Sequence, residues 1–331
     1  MPLLEEVRRV GFCHDGHGRQ VIPVRVEAVA RHPGPPSLGQ QWFWTSMSGT
    51  SEMNQVEKAE AFRRLHDRRE VLVLPNAWDV PSARIFEDEG FPAVATSSAG
   101  MLVSLGYPDG EGIPSGEFVA AVGRIAKVLS VPLSADVVGG FGDSPEGVAK
   151  SVEAVVRAGA IGVNIEDFAH GSKELLPLEK QLERLRALIR LREQMSVPFV
   201  INARTDALRF AIGDDAAKLQ EAVRRAEAYR DLGADCVYPM GLTAAASISA
   251  FVRALDFPIN VMVRKGLPSV PELKCLGVAR VSFGPSASYA ALGFLKRVSK
   301  EVRERGTYGG LTDEAITFDE LNALAVPRRP A

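Results

Sequence analysis

The chain has 331 residues with 39 basic and 41 acidic side chains, a formal net charge of −2. A balance that even gives no field to attract nucleic acid or an anionic membrane surface. No apolar stretch approaches the roughly 20 residues of a membrane helix, and the N-terminus lacks the basic-then-apolar order of a secretory signal. The three cysteines, Cys13, Cys236 and Cys275, are odd in number and far apart. They are expected to be reduced thiols of a cytoplasmic protein.

Residues 1–55 differ from the rest. RHPGPPSLGQQWFWTSMSGTSEMNQ is rich in Pro, Gly, Ser and Gln without sustained periodicity, which predicts a poorly ordered extension. Cys13, His14 and His17 hint at a metal site there, but a fourth ligand is missing.

A repeating rhythm follows from Val71 to Gly284. Eight short apolar runs, VLVLPNAWD, AVATSS, PLSAD, GVNIED, FVINARTD, CVYP, INVMV and RVSFG, alternate with helix-like stretches. Each run is too short for a buried helix and reads as a strand covered on both faces. Eight strand-then-helix units predict an α/β fold, a (β/α)8 TIM-type barrel. A helix over QVEKAEAFRRLHDR is expected to close its N-terminal end. The first outer helix, VPSARIFEDEG, has Asp79 as cap, Pro81 in its first turn and Gly90 as stop. The helix over SPEGVAKSVEAVVRAG has Ser144 as cap and Pro145 at its first position. Pro132 and Pro198 open the third and fifth strands, where the missing donor is tolerated. The organisation expected is an extension at 1–55, a barrel domain at 56–306 and a tail at 307–331 with one short helix.

Barrel chemistry sits at the C-terminal ends of the strands. The first places to look are therefore Asn76, Asp79, Ser97, Asp136, Glu166, Arg204 and Asp206. Asp136 and Glu166 end adjacent strands, and two carboxylates with room for waters suit Mg²⁺, with Mn²⁺ as an alternative. The competing reading is a helix cap or an ion pair with a nearby Arg. Arg204 can hold a carboxylate by two parallel hydrogen bonds, or merely neutralise Asp136, Glu166 or Asp206. Ser97 and Ser98 can cradle an oxyanion, or serve as ordinary turn residues. The Gly139–Asp143 segment GGFGD lacks the spacing of a dinucleotide or phosphate loop, so its glycines are expected to let backbone approach the ligand. His170 is an acid–base candidate or a solvated loop residue. Lys265, after the seventh strand, is the one candidate for Schiff-base chemistry.

Taken in order, these segments resemble the isocitrate lyase and phosphoenolpyruvate mutase superfamily, in its bacterial phosphonomutase-like branch, over roughly residues 57–306. NAWDVPSARIFEDEGFPAVATSSAG is similar to the family's opening, SADVVGGFGD to its "DADxGYG" metal loop, NIEDF to its "ED" motif and INARTDA to its strand-5 arginine motif. LGYPDGE places Asp109 at the family's spacing. The resemblance implies a Mg²⁺-dependent lyase or mutase acting on a small 2-oxo acid or its precursor, through or in imitation of a pyruvate enolate. It implies Asp136 and Glu166 at the metal, with Asp109 near the reacting group. Ser97, Ser98, Ala99 and Arg204 would bind the substrate, Ser97 through its hydroxyl. Homodimers or homotetramers that exchange the last barrel helix are implied as well. Two departures stand out: Ser134 replaces the first aspartate of the metal loop, and Val138 stands where relatives carry Glu. These predict weaker metal binding, which Val138→Glu would restore. The cysteine-bearing "KxCGH" loop of the lyase branch is missing. A carboxylate-binding protein without turnover is the second reading.

Overall fold

The computed structural model describes residues 53–313 and 315–327. The expectations for residues 1–52, including Cys13, His14 and His17, lie outside the described residues.

The chain enters through α1 (Gln55–Arg64), where Asn54 and Glu57 form a reciprocal capping box. The first stave is broken in two, β1 (Leu72–Leu74) and β2 (Asn76–Ala77). Pro75 lies between them. It has no N–H to give the ladder, though its carbonyl accepts from the Ala95 amide at 2.8 Å. The other staves are β3 (Val94–Thr96), β4 (Leu133–Asp136) and β5 (Gly162–Glu166). A two-stranded hairpin, β6 (Phe168–Ala169) with β7 (Glu174–Leu175), precedes the next staves, β8 (Val200–Thr205) and β9 (Cys236–Pro239). The last two are β10 (Asn260–Met262) and β11 (Arg280–Ser282).

All stave pairings are parallel, in the orders β2-β3-β4-β5-β8-β9 and β1-β11-β10. A parallel bridge between Val237 and Ile259 joins the two runs. Because β1 and β2 belong to one extended segment, the sheet closes on itself, and the eight-stave barrel expected from the sequence is present.

Around it lie α2 (Val80–Asp88), α4 (Ser115–Val128), α5 (Pro145–Arg157), α6 (Leu178–Met195), α8 (Asp215–Leu232), α9 (Ala245–Leu255), α10 (Val270–Cys275) and α11 (Ser286–Arg305). The caps are those the sequence announces. Asp79 accepts from the Ser82 amide at 2.8 Å, and Ser144 accepts from the Gly147 amide at 3.1 Å. Two short helices sit on the loops above the staves, α3 (Ser98–Ser104) and α7 (Ala207–Phe210). The tail carries α12 (Gly309–Thr312) and α13 (Phe318–Ala323).

Two apolar clusters hold the barrel. One lies between staves and helices, with Val163, Ile165, Ile201, Ala203, Val261 and Val281 facing outward. The smaller one plugs the N-terminal end, where Ala59 and Phe62 of α1 pack against Leu72, Leu74, Ala93, Ala95, Ile161 and Val200. Side chains alternate along a strand. The positions between the outward residues are therefore inward ones, and above the plug they are polar: Ser134, Asp136, Asn164, Glu166, Asn202, Arg204, Asn260, Arg280 and Ser282. That polar inner wall sets the site.

Candidate active site

The C-terminal mouth opens into a cavity of about 710 Å³, continuous from rim residues Lys173, Arg209 and Tyr289 down to Ser134, Asn260 and Arg280. Ser97, Ser98, Ala99, Asp109, Asp136, Glu166, Arg204 and His170 all line it. The structure thus brings these eight residues into one space, while Asp206 is buried and not among the lining residues.

Asp136 is the carboxylate at the centre. Its Oδ1 accepts from the Asn164 side-chain amide at 2.8 Å and its Oδ2 from the Ser98 backbone N–H at 3.1 Å. Asn164 is held in turn by Asn202 at 2.9 Å. Asp136 makes no ion pair with any cation among the described residues. Asp109 reaches the rim from the loop after α3. Burial and the Asp136 charge push its pKa up, against a hydrogen bond with the Ser98 side chain and the pull of His170 and Arg204. It therefore takes up a proton more readily than an ordinary aspartate.

Glu166 is buried and fully compensated. Arg204 Nη1 pairs with its Oε2 at 2.6 Å, and His170 Nε2 contacts its Oε1. Burial raises the Glu166 pKa, with Arg204 and His170 opposing. The hydrogen bond to Glu166 raises that of His170. Arg204 is also spent on Asp206, through Nε at 2.7 Å and Nη2 at 3.0 Å. Burial opposes its charge, but Glu166 and Asp206 more than offset that and hold its pKa well above the ordinary value. Tyr238 lies under the guanidinium, 5.7 Å from ring centre to Cζ.

Asp206, expected at the strand end, rests on a buried support that sequence reading did not single out, Asp167. Asp167 Oδ1 accepts from the Asp206 amide at 2.8 Å, while its Oδ2 takes Arg225 at 2.9 Å and the Tyr229 hydroxyl at 2.8 Å. Arg225 and Tyr229 belong to α8. Their sequence signal was an Arg and a Tyr four apart on an otherwise charged helix, which spacing alone cannot tell from a solvated face.

Several expectations take a different form. The Ser97 hydroxyl caps α3, accepting from the Gly100 amide at 3.3 Å, so the turn-residue reading describes what it does here. The segment after it is helix, because that cap nucleates a short apolar run, Met101 and Leu102, that packs into the core. Asp79 caps α2 and is not a lining residue. The glycines of the GGFGD segment are not lining residues either. Their close approach is to α5: a Cβ on Gly142 would stand 2.5 Å from the Val148 amide nitrogen. Val138 is buried with a left-handed φ of 55° and is absent from the cavity wall. An anionic ligand at that position would therefore enter packed protein rather than the site. Lys265 is exposed and does not line the cavity, so the Schiff-base reading loses the residue it rested on.

The profile of the phosphoenolpyruvate phosphomutase family matches residues 62–303. The chain is 30% identical to the 2-methylisocitrate lyase of Escherichia coli (strain K12) over 281 residues, covering 81% of this chain and 92% of that protein. It is 30% identical to the oxaloacetate decarboxylase of Chromohalobacter salexigens over 287 residues, covering 83% and 92%. A solved oxaloacetate acetylhydrolase with its product oxalate superposes with a TM-score of 0.72 at 28% identity, covering 81% of this chain and 93% of that one. The eight-stave barrel, the clustered carboxylates and arginine at its mouth, and these matches together assign the chain to the isocitrate lyase/phosphoenolpyruvate mutase superfamily of lyases and mutases.

Proposed function

We propose that the protein is a divalent-metal-dependent lyase or mutase acting on a small 2-oxo acid or its precursor. The bond broken or formed, C–C or P–C, is next to the carbonyl, and charge of a pyruvate enolate develops on the substrate. The observation that carries this reading is the gathering of Asp109, Asp136, Glu166 and Arg204 around one cavity at the strand ends. The names of the relatives, which include 2-methylisocitrate lyase, oxaloacetate decarboxylase and 2,3-dimethylmalate lyase, support the substrate class.

The donor set fits a hydrated Mg²⁺ or Mn²⁺. Asp136 and Asp109 repel each other in a partly dry space without a cationic partner of their own, so a divalent ion would relieve both. No three His, Cys, Asp or Glu side chains converge into a metal cage among the described residues. This is the pattern of an ion that keeps several waters and takes one or two carboxylates. Asp136 would hold it, with Glu166 and Asp109 acting through water. Bound there, the ion supplies Lewis-acid stabilisation of developing oxyanion charge.

The chain's own residues supply the rest. Arg204, rigidly held by Asp206, fixes a positive charge beside Glu166. Asp109, with its raised pKa, holds or accepts a proton at the rim, where its Ser98 contact orients it. Ser97, Ser98, Ala99 and Arg204 form the wall against which the substrate carboxylate lies. The Phe168–Phe210 stack, 4.4 Å between ring centres, covers one side of the mouth and limits water.

We assign the protein to the cytoplasm, consistent with Cys236 and Cys275 as free thiols and with no described helix long and apolar enough to cross a membrane. We also propose a homodimer or homotetramer. Tyr289, Leu292 and Leu295 of α11 are more than half exposed, an apolar face that a second copy would cover. The test of function is thermal stabilisation by oxalate, which mimics a pyruvate enolate, with and without Mg²⁺. Stabilisation that needs both supports the enzyme. Stabilisation by oxalate alone supports the alternative of a carboxylate binder without turnover. A screen of oxo acids and phosphonates for pyruvate release then identifies the substrate.

A further inference from the structure

Arg280 is the one described cavity-lining arginine that is both deeply buried and without a partner. It stands at the start of β11, 2% exposed, and faces the barrel interior. Its Nε and Nη1 have no hydrogen-bond partner. Below it is the Phe62 ring of the N-terminal plug, 6.0 Å from the guanidinium carbon. Above it the cavity is open. Asp136, the one carboxylate whose charge acts on Arg280, has its two oxygens on Asn164 and Ser98 instead. Asn260, the register partner of Arg280 on β10, has an unpartnered Oδ1.

Arginine stays protonated throughout the range in which proteins fold. A buried charge without a partner costs several kilocalories per mole, and structures carry it only when something else neutralises it. Among the described residues no carboxylate makes that ion pair, and Asp136 acts on Arg280 only through space. Arg204 is spent on Glu166 and Asp206 and Arg209 on Asp206, while Arg264 is exposed, so the buried cavity arginine without an ion pair is Arg280. Ser134, on the same inner wall, brings no charge either.

We propose that the floor of the cavity is a subsite for a small monoanionic group, of carboxylate or halide size, with Arg280 as its receptor. An edge of the guanidinium, Nε with Nη2 or Nη1 with Nη2, would meet a carboxylate through two parallel N–H bonds, and a half-turn of the Asn260 amide would add a third donor. The Ser282 and Ser134 hydroxyls are further donors on the same wall. The group comes either from a second carboxylate of the substrate, reaching down from the mouth, or from a free anion of the solvent. The site does not depend on the metal or on turnover, so it stands or falls separately from the oxo-acid reading.

The test uses formate and bromide on the full chain at constant ionic strength. Wild-type protein should gain about 3 °C in melting temperature at an anion concentration about ten times the dissociation constant. Arg280→Met should lose that gain while melting no lower than wild type in the absence of anion. Arg280→Lys, which keeps the charge and loses the fork, should retain part of it. Crystals of wild-type protein soaked in bromide should show an anomalous peak within hydrogen-bond reach of the guanidinium, a result that needs no variant. Displacement of that bromide by oxaloacetate would name the substrate as the source, and its retention would name a free anion. Equal anion responses in wild type and Arg280→Met, with no bromide at Arg280, would overturn the proposal.

Discussion

Glu166 and Arg204 are register partners on adjacent parallel strands, and their side chains repeat that pairing with an ion pair of 2.6 Å. Strand register thus decides the electrostatics of the site. Glu166 is compensated by the protein itself, whereas Asp136, two residues from the register position of Glu166 and one strand over, is left facing the cavity without a cation.

Removing Arg204 should therefore act on stability before it acts on binding. Arg204→Ala leaves Glu166 and Asp206, with side chains 3% and 0% exposed, without their shared cation. The expected loss is about 3–5 kcal/mol of unfolding free energy, read as a lower urea midpoint. Arg204→Lys should recover part of it but not the two-pronged contact with Asp206. A midpoint unchanged in Arg204→Ala would show that the pairing adds nothing to stability.

The metal loop yields a contrast between two substitutions. Ser134 lines the cavity, so Ser134→Asp should tighten Mg²⁺ binding by about tenfold, equivalent to about 1.4 kcal/mol. Val138 is 1% exposed and off the cavity wall, so Val138→Glu should give no tightening. It should instead lower stability, because a carboxylate would be buried without a partner. Calorimetric Mg²⁺ titration of the two variants checks both halves.

Tyr229→Phe isolates the support beneath the site. It removes the 2.8 Å hydrogen bond to Asp167, whose other oxygen carries the backbone of Asp206. A cost of about 1–3 kcal/mol is expected, measured by denaturant unfolding. A silent substitution would mean that Arg225 alone satisfies Asp167.

His66 sets an acid limit on stability far from the site. It is buried at the N-terminal plug, where desolvation and the Arg280 charge lower its pKa to about 3. An unfolded chain protonates this residue near 6.5, so below that pH the unfolded state binds more protons. Its contribution is complete above about 6.5 and erodes as pH falls toward 3, at about 1.4 kcal/mol per unit. His66→Leu should flatten that slope of stability against pH while leaving the behaviour above pH 7 unchanged. An identical acid slope in both proteins would show that His66 is protonated in the fold.

Local patterning was enough for the barrel. Short runs rich in Val and Ile, bounded by caps such as Asp79 and Ser144, announce strand and helix because their hydrogen bonds and periodicities lie within a few residues. That strand-end residues such as Asp136, Glu166 and Arg204 gather at one mouth was legible too, since polar residues at the ends of eight successive strands must meet there once the sheet closes. Which carboxylate is spent and which is free was not legible. Arg204 could equally have served Asp136, Glu166 or Asp206, and only the register of β5 against β8 decides. Val138 and the Gly139–Asp143 segment looked like ligand-facing residues because a strand-end loop gives no sign of which way it turns. The backbone turns Gly140 and Gly142 onto α5 and buries Val138 off the cavity wall. Arg280 was invisible for the same reason: one arginine at the start of an apolar run means nothing until seven other strands show that no acid is left to pair with it.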